Sequence, residues 1–212
     1  YYPYGCKRPT FHDEFLPSFN KPNVTLIDTA PLGVTEINEN GVVHNSTEYP
    51  VDVLIYATGF QWMATSTFNM ITGENGQTLK EKWETEGTKT FLGLHSKGFP
   101  NLFIISGPQG GGGQFNFTRI IESHSDYVIW MLKTLRERGA TKVDVETKAE
   151  NEYAEHCKIA DIKTRPLRDC ISYYNGHGEG EPGSLAYYGG AKKWHEHREE
   201  AQKTLKPYIF DE

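Results

Sequence analysis

The chain has 212 residues, with 22 Lys plus Arg against 28 Asp plus Glu, a formal charge of −6. Hydrophobic residues make up 37% and charged residues 24%. That balance suits a mixed globular chain and excludes a disordered polyelectrolyte, a membrane-spanning helix bundle and a nucleic-acid binder working through bulk positive charge.

In chain order, residues 1–23 are rich in proline and aromatics and read as loop. Val24–Ile27 is a short β-branched run. Val34–Ile37 and Val42–His44 flank Asn40-Gly41, a hairpin signal. Val51–Tyr56 (VDVLIY) is an almost unbroken apolar run that stops at Ala57-Thr58-Gly59. Runs without alternation suit strands covered on both faces, as in parallel α/β sheets. Leu102–Ser106 is a second such run, ending at Gly107-Pro108 and Gly110–Gly113. Apolar residues at helical spacing then run from Phe117 to Arg138, with Gly139 as a stop. Lys142–Glu146 reads as a short strand, Ala149–Lys163 as a polar helix and Ala191–Leu205 as a charged last helix closed by Pro207. The composition changes near residue 50, the one boundary candidate.

Glycine is over-represented: 21 residues, about a tenth of the chain against a norm of roughly 7%. These glycines are clustered, which points to sites. The three cysteines, Cys6, Cys157 and Cys170, are far apart and form no CxxC. They are expected to be free thiols in a reducing, cytoplasmic compartment. The chain starts at Tyr1 and not at Met, compatible with a fragment or a processed chain.

The strongest local signal is strand, glycine cluster, helix: NLFIISGPQGGGGQFNFTRIIESH. Glycines let backbone approach a flat or anionic ligand. The first N–H groups of the following helix are unpaired and partly positive, and Asn116 is its candidate N-cap. The same pattern also fits an ordinary loop of an α/β domain. It is neither a Walker A loop nor a GxGxxG turn. The second signal is DVLIYATGF, which places Thr-Gly at the end of a strand, where open α/β sheets bind ligands; a plain core strand fits too. The third is Lys7-Arg8 among aromatics and prolines, either a solvated pair or a pair that holds an anion. His124, in IESH, reads as a surface or satisfied core histidine.

Taken together these segments resemble the C-terminal part of type I Baeyer–Villiger monooxygenases. The matching pieces come in the family's order: YPYGCKRP, NVTLID, DVLIYATGF, LKEKW, TFLGL, GFPNLFIISGPQ, the Asn-Phe opening the long helix, IESH, SYYNG and YYGG. The resemblance implies an α/β architecture with Rossmann-like FAD and NADP domains, the second inserted in the first. Residues 1–50 would be the tail of the NADP domain and residues 51–212 the C-terminal half of the FAD domain. FAD and NADPH would be the cofactors, and a ketone and O2 the substrates. The product would be an ester or lactone, formed through a C4a-peroxyflavin. An N- or S-oxygenating flavoenzyme and a non-catalytic flavoprotein fragment are the alternatives.

Roles follow by position from that resemblance. Arg8 matches the arginine that stabilises the anionic peroxyflavin, a permanent cation beside developing charge. Lys7 matches the lysine on the NADP 2′-phosphate. Gly59 and Phe60 match the junction motif near FAD. Gly107, Pro108, Asn116 and Phe117 fall beside the flavin. Gly110, Gly111, Gly112 and Gly113 match the substrate-side loop. Tyr173 stands where relatives have a Trp that contacts NADP. The four glycines, Tyr173 and Gln61 depart from the usual residues. Both GxGxxG fingerprints and the aspartate that supports the arginine are absent from the sequence. The chain is therefore expected to be roughly the last two-fifths of the enzyme. It would be inactive without the N-terminal part.

Overall fold

A computed structural model describes residues 7, 10–59, 66–111, 116–164, 172 and 185–211. The chain divides into a smaller unit, Thr10–Phe60, and a larger one that includes Gln61–Glu212.

The smaller unit holds a one-turn helix, α1 (Phe15–Ser18), and a three-stranded antiparallel sheet, β1 (Glu36–Ile37), β2 (Gly41–His44) and β3 (Thr47–Pro50), in that order. The Asn38 side chain accepts from the N–H groups of Asn40 and Gly41, both at 3.0 Å, which closes the β1–β2 turn. Asn45 and Ser46 take φ of 48° and 63° and turn β2 into β3 in the two-residue manner that matches strand twist. Neither is a glycine, so this turn and β3 lie outside the sequence reading.

The apolar run from Val51 to Tyr56 joins no ladder among the described residues. Its side chains are exposed, Val53 at 75% and Ile55 at 82%. The predicted strand is therefore not seen. An unbroken apolar run signals a covered strand only where neighbouring strands and helices cover it, and no described element does so. Val24–Ile27 likewise forms no strand.

The larger unit contains α2 (Ser66–Met70), α3 (Leu79–Glu86), α4 (Phe117–Arg138), β4 (Val143–Val145), α5 (Thr147–Thr164), α6 (Ala191–Thr204) and β5 (Tyr208–Phe210). A reciprocal cap starts α3: the Glu81 N–H donates to the Thr78 hydroxyl at 3.2 Å, and the Thr78 N–H donates to the Glu81 carboxylate at 2.7 Å. Leu79 and Trp83 then pack with Phe99 in a small core.

The main core is organised on α4. Ile120, His124, Tyr127, Met131 and Leu135 are spaced by four, three, four and four and are all buried. Tyr127, Met131 and Leu135 meet Val143, Val145, Tyr153, Cys157, Trp194 and Tyr208. Arg138 ends the helix, and Gly139, at φ 69°, accepts the left-handed cap. Strand β5 pairs antiparallel with β4. The Tyr127 hydroxyl donates to that of Tyr208 at 2.7 Å, which ties the end of the chain to α4.

Leu102–Ser106 is not a strand either. Its backbone bonds go to scattered partners; the Ile104 N–H, for example, donates to the Leu94 carbonyl at 2.8 Å. The described residues therefore form an α/β fold whose strands all pair antiparallel.

Candidate functional site

The segment from Ser106 to Gly111 approaches the first turns of α4 and is held from all sides. A Cβ on Gly93 would collide with the backbone of Gly110, and Gly93 also needs its φ of 72°. On Gly107 a Cβ would sit 2.6 Å from the Gly93 carbonyl oxygen, and on Gly110 2.7 Å from the ring carbon Cε1 of His124. On Gly111 it would strike Ile120. These glycines are thus required by close approach of backbone to backbone and to buried rings.

Gln109 locks the same segment. It is buried at φ 63°. Its side-chain oxygen accepts from the N–H and the hydroxyl of Thr90, both at 2.9 Å, and its amide donates to the Thr88 carbonyl at 2.8 Å. The Tyr153 hydroxyl donates to its carbonyl at 2.9 Å. The Pro108 carbonyl accepts from the Thr90 hydroxyl, and the Gly111 carbonyl from the Tyr187 N–H, both at 3.0 Å.

Asn116 caps α4 as its sequence position suggests: its side-chain oxygen accepts from the N–H groups of Thr118 and Arg119 at 3.0 and 3.3 Å. The Phe117 N–H has no acceptor among the described residues, and the Phe117 ring is 53% exposed. Among the described residues, this helical N–H therefore has no acceptor, at the positive end of a 22-residue helix.

His124 stands one side of this segment. Burial pushes its pKa down to about 4, with the Gly110 backbone acting upward and Arg198 downward. The neutral ring accepts the Ser106 N–H on Nδ1 at 3.0 Å, so its proton is on Nε2. The ring stacks on Trp194 with centroids 5.2 Å apart, and the Trp194 indole N–H donates to the Leu92 carbonyl at 3.1 Å.

Gly107, Pro108, Gly110 and Gly111 thus lie in one locked segment against Ile120 and His124 of α4, the helix that Asn116 and Phe117 open. Lys7 is exposed. Gly59 closes the exposed run of the smaller unit at φ 97°, with open space where a Cβ would be. Arg8, Phe60, Gly112, Gly113 and Tyr173 lie outside the described residues. Sequence reasoning missed Thr90, Gly93 and Gln109, because only the fold brings Thr90 and Gly93 against Gln109 and Gly110. The one signal for Gly93 was the glycine in TFLGL.

No protein-family model matches the chain. It is 36% identical over 206 residues to the Baeyer–Villiger monooxygenase peniC of Penicillium patulum, covering 92% of this chain and 33% of that protein. The structure matches the polycyclic ketone monooxygenase of Thermothelomyces thermophila with a TM-score of 0.82 and 29% identity, over 99% of this chain and 36% of that one. It also matches OTEMO in complex with FAD and NADP, with a TM-score of 0.85 and 25% identity, over 99% of this chain and 39% of that one. Fold and sequence together place the chain in the monooxygenase class. Within that class it belongs to the Baeyer–Villiger monooxygenase family, and it spans about a third of the length of the curated relative it matches.

Proposed function

We propose that this segment is part of an FAD- and NADPH-dependent monooxygenase that inserts one oxygen atom from O2 beside a ketone carbonyl, giving an ester or lactone. The carrying observation is the Ser106–Gly111 segment set against the α4 N-terminus, in a chain of this family. Bound FAD would supply the oxygen-transferring chemistry. The residue present that fits it is the Phe117 N–H at the positive end of α4, for which no described residue supplies an acceptor and which suits the carbonyl edge of a flavin ring. Residues 1–50 would then be the tail of an NADP-binding domain and residues 51–212 half of a Rossmann-like FAD domain. Lys7 would bind the NADP phosphate as a point charge. Arg8 would hold negative charge at the reacting centre. Gly59, Phe60, Gly107, Pro108, Asn116 and Phe117 would line the cofactor. Gly110, Gly111, Gly112 and Gly113 would face substrate, and Tyr173 would touch NADP.

The test is turnover of the complete protein with FAD, NADPH, 18O2 and a panel of cyclic ketones. The expected result is lactone carrying one 18O atom. Arg8→Ala should abolish that product while NADPH still bleaches the flavin. Oxygenation of amines or sulfides alone, or normal lactone formation by Arg8→Ala, would overturn the reading or the role of Arg8.

A further inference from the structure

His124 meets the Ser106–Gly111 segment at both of its ends. Its Nδ1 accepts the Ser106 N–H at 3.0 Å, and Ser106 is a non-glycine residue at φ 57°. Its Cε1 lies where Gly110 has room for no side chain, 2.7 Å from the position a Cβ would take. Nε2 is buried and makes no well-formed hydrogen bond among the described residues, with the Gly110 backbone as its nearby polar neighbour. Trp194, itself fixed by its indole N–H on the Leu92 carbonyl, stacks on the ring and prevents it from retreating. A fully buried imidazole held in this way costs stability without a full set of partners, and its contacts concentrate on one six-residue turn. That turn holds Gly110 and Gly111, two of the glycines proposed above to face substrate.

We infer that His124 is a positioning residue for oxygenation: it sets the height of the Ser106–Gly111 turn, and through that turn the placement of the ketone at the flavin. This rests on the function proposed above. Two variants separate the ring from its acceptor. His124→Phe keeps a ring to stack on Trp194 but leaves the Ser106 N–H unmet. His124→Asn offers an oxygen near the place of Nδ1 but removes the wall behind Gly110.

The experiment uses the complete protein with FAD. In His124→Phe, hydrogen exchange of the amides from Ser106 to Gly111 should quicken by about tenfold, as expected for one lost buried hydrogen bond, while the later turns of α4 stay protected. Flavin reduction by NADPH should persist. KM for the ketone should rise and more NADPH should end as hydrogen peroxide, with His124→Asn restoring part of the coupling. Gly110→Ala should show the same uncoupling, and its effect should shrink in the His124→Asn background, where the smaller side chain makes room. Equal losses in Phe and Asn variants, unchanged coupling, or simple additivity of Gly110→Ala with His124→Asn would overturn the inference. If the wild type oxygenates no ketone yet exchange responds as stated, the proposed function fails and the positioning contact stands.

Discussion

Lys82 and Glu150 form a buried ion pair in the larger unit. The ammonium lies 2.9 Å from both carboxylate oxygens and also donates to the Ser96 hydroxyl and the Lys97 carbonyl, each at 2.9 Å. Glu150 takes the Lys97 N–H at 2.8 Å as well. Every strong site on both partners is satisfied, so removal of one partner leaves the other charge buried. Lys82→Met should cost about 3–5 kcal/mol in urea unfolding, and Lys82→Met with Glu150→Leu should regain most of it. A double variant no better than the single would show that the pair itself stabilises the fold. Histidines give a second test. Burial pushes the pKa of His95 down to about 3 and that of His124 to about 4. Both are then below the unfolded value near 6.5. The unfolded chain takes up protons first as pH falls, so this stability is complete above pH about 6.5 and is lost progressively toward pH 4. For His124 the loss is on the order of 3 kcal/mol. His124→Asn should flatten urea stability against pH in that window; an unchanged slope would contradict the burial. At this scale the sequence showed Asn116, because a cap is a local pattern, but not Lys82, since nothing in LKEKW separates a buried lysine from a solvated one.

Among the elements, α4 was readable from Phe117 to Arg138 because its apolar period, its asparagine cap and its terminal glycine are all local signals. Helices α5 and α6 and strand β4 followed for the same reason. The runs at residues 51–56 and 102–106 failed because pairing is decided by other parts of a sheet, and the described residues supply no partner strand. The cap can be tested directly. Asn116→Ala removes the acceptor for the Thr118 and Arg119 N–H groups and should cost about 1 kcal/mol. Asn116→Asp should cost little, since it keeps an oxygen there and adds negative charge at the positive helix end. Loss of equal size in both, by thermal unfolding, would show that shape and not capping fixes the position. About four turns further on, Met131→Ala opens a hole among buried neighbours and should cost about 2–5 kcal/mol.

At the scale of the whole molecule, the exposed run Val51–Tyr56 bears most directly on what the chain is part of. Val51, Val53, Leu54, Ile55 and Tyr56 are all exposed, in a chain that spans about a third of its relative. A contiguous apolar stretch in water forgoes about 25 cal/mol for each Å² left uncovered, and such patches mark surfaces that another body covers. The sequence reading of a covered strand and the uncovered segment seen here agree if the cover comes from the remainder of a relative-length protein. Changing Val53 and Ile55 together to Asp tests this. In this chain alone the double change should alter stability by no more than about 0.5 kcal/mol, as for ordinary surface substitutions. In the complete protein it should cost FAD, seen as loss of flavin absorbance after gel filtration. Marked destabilisation of the chain alone would place the run in its own core. Full flavin retention would mean that nothing in the complete protein covers it.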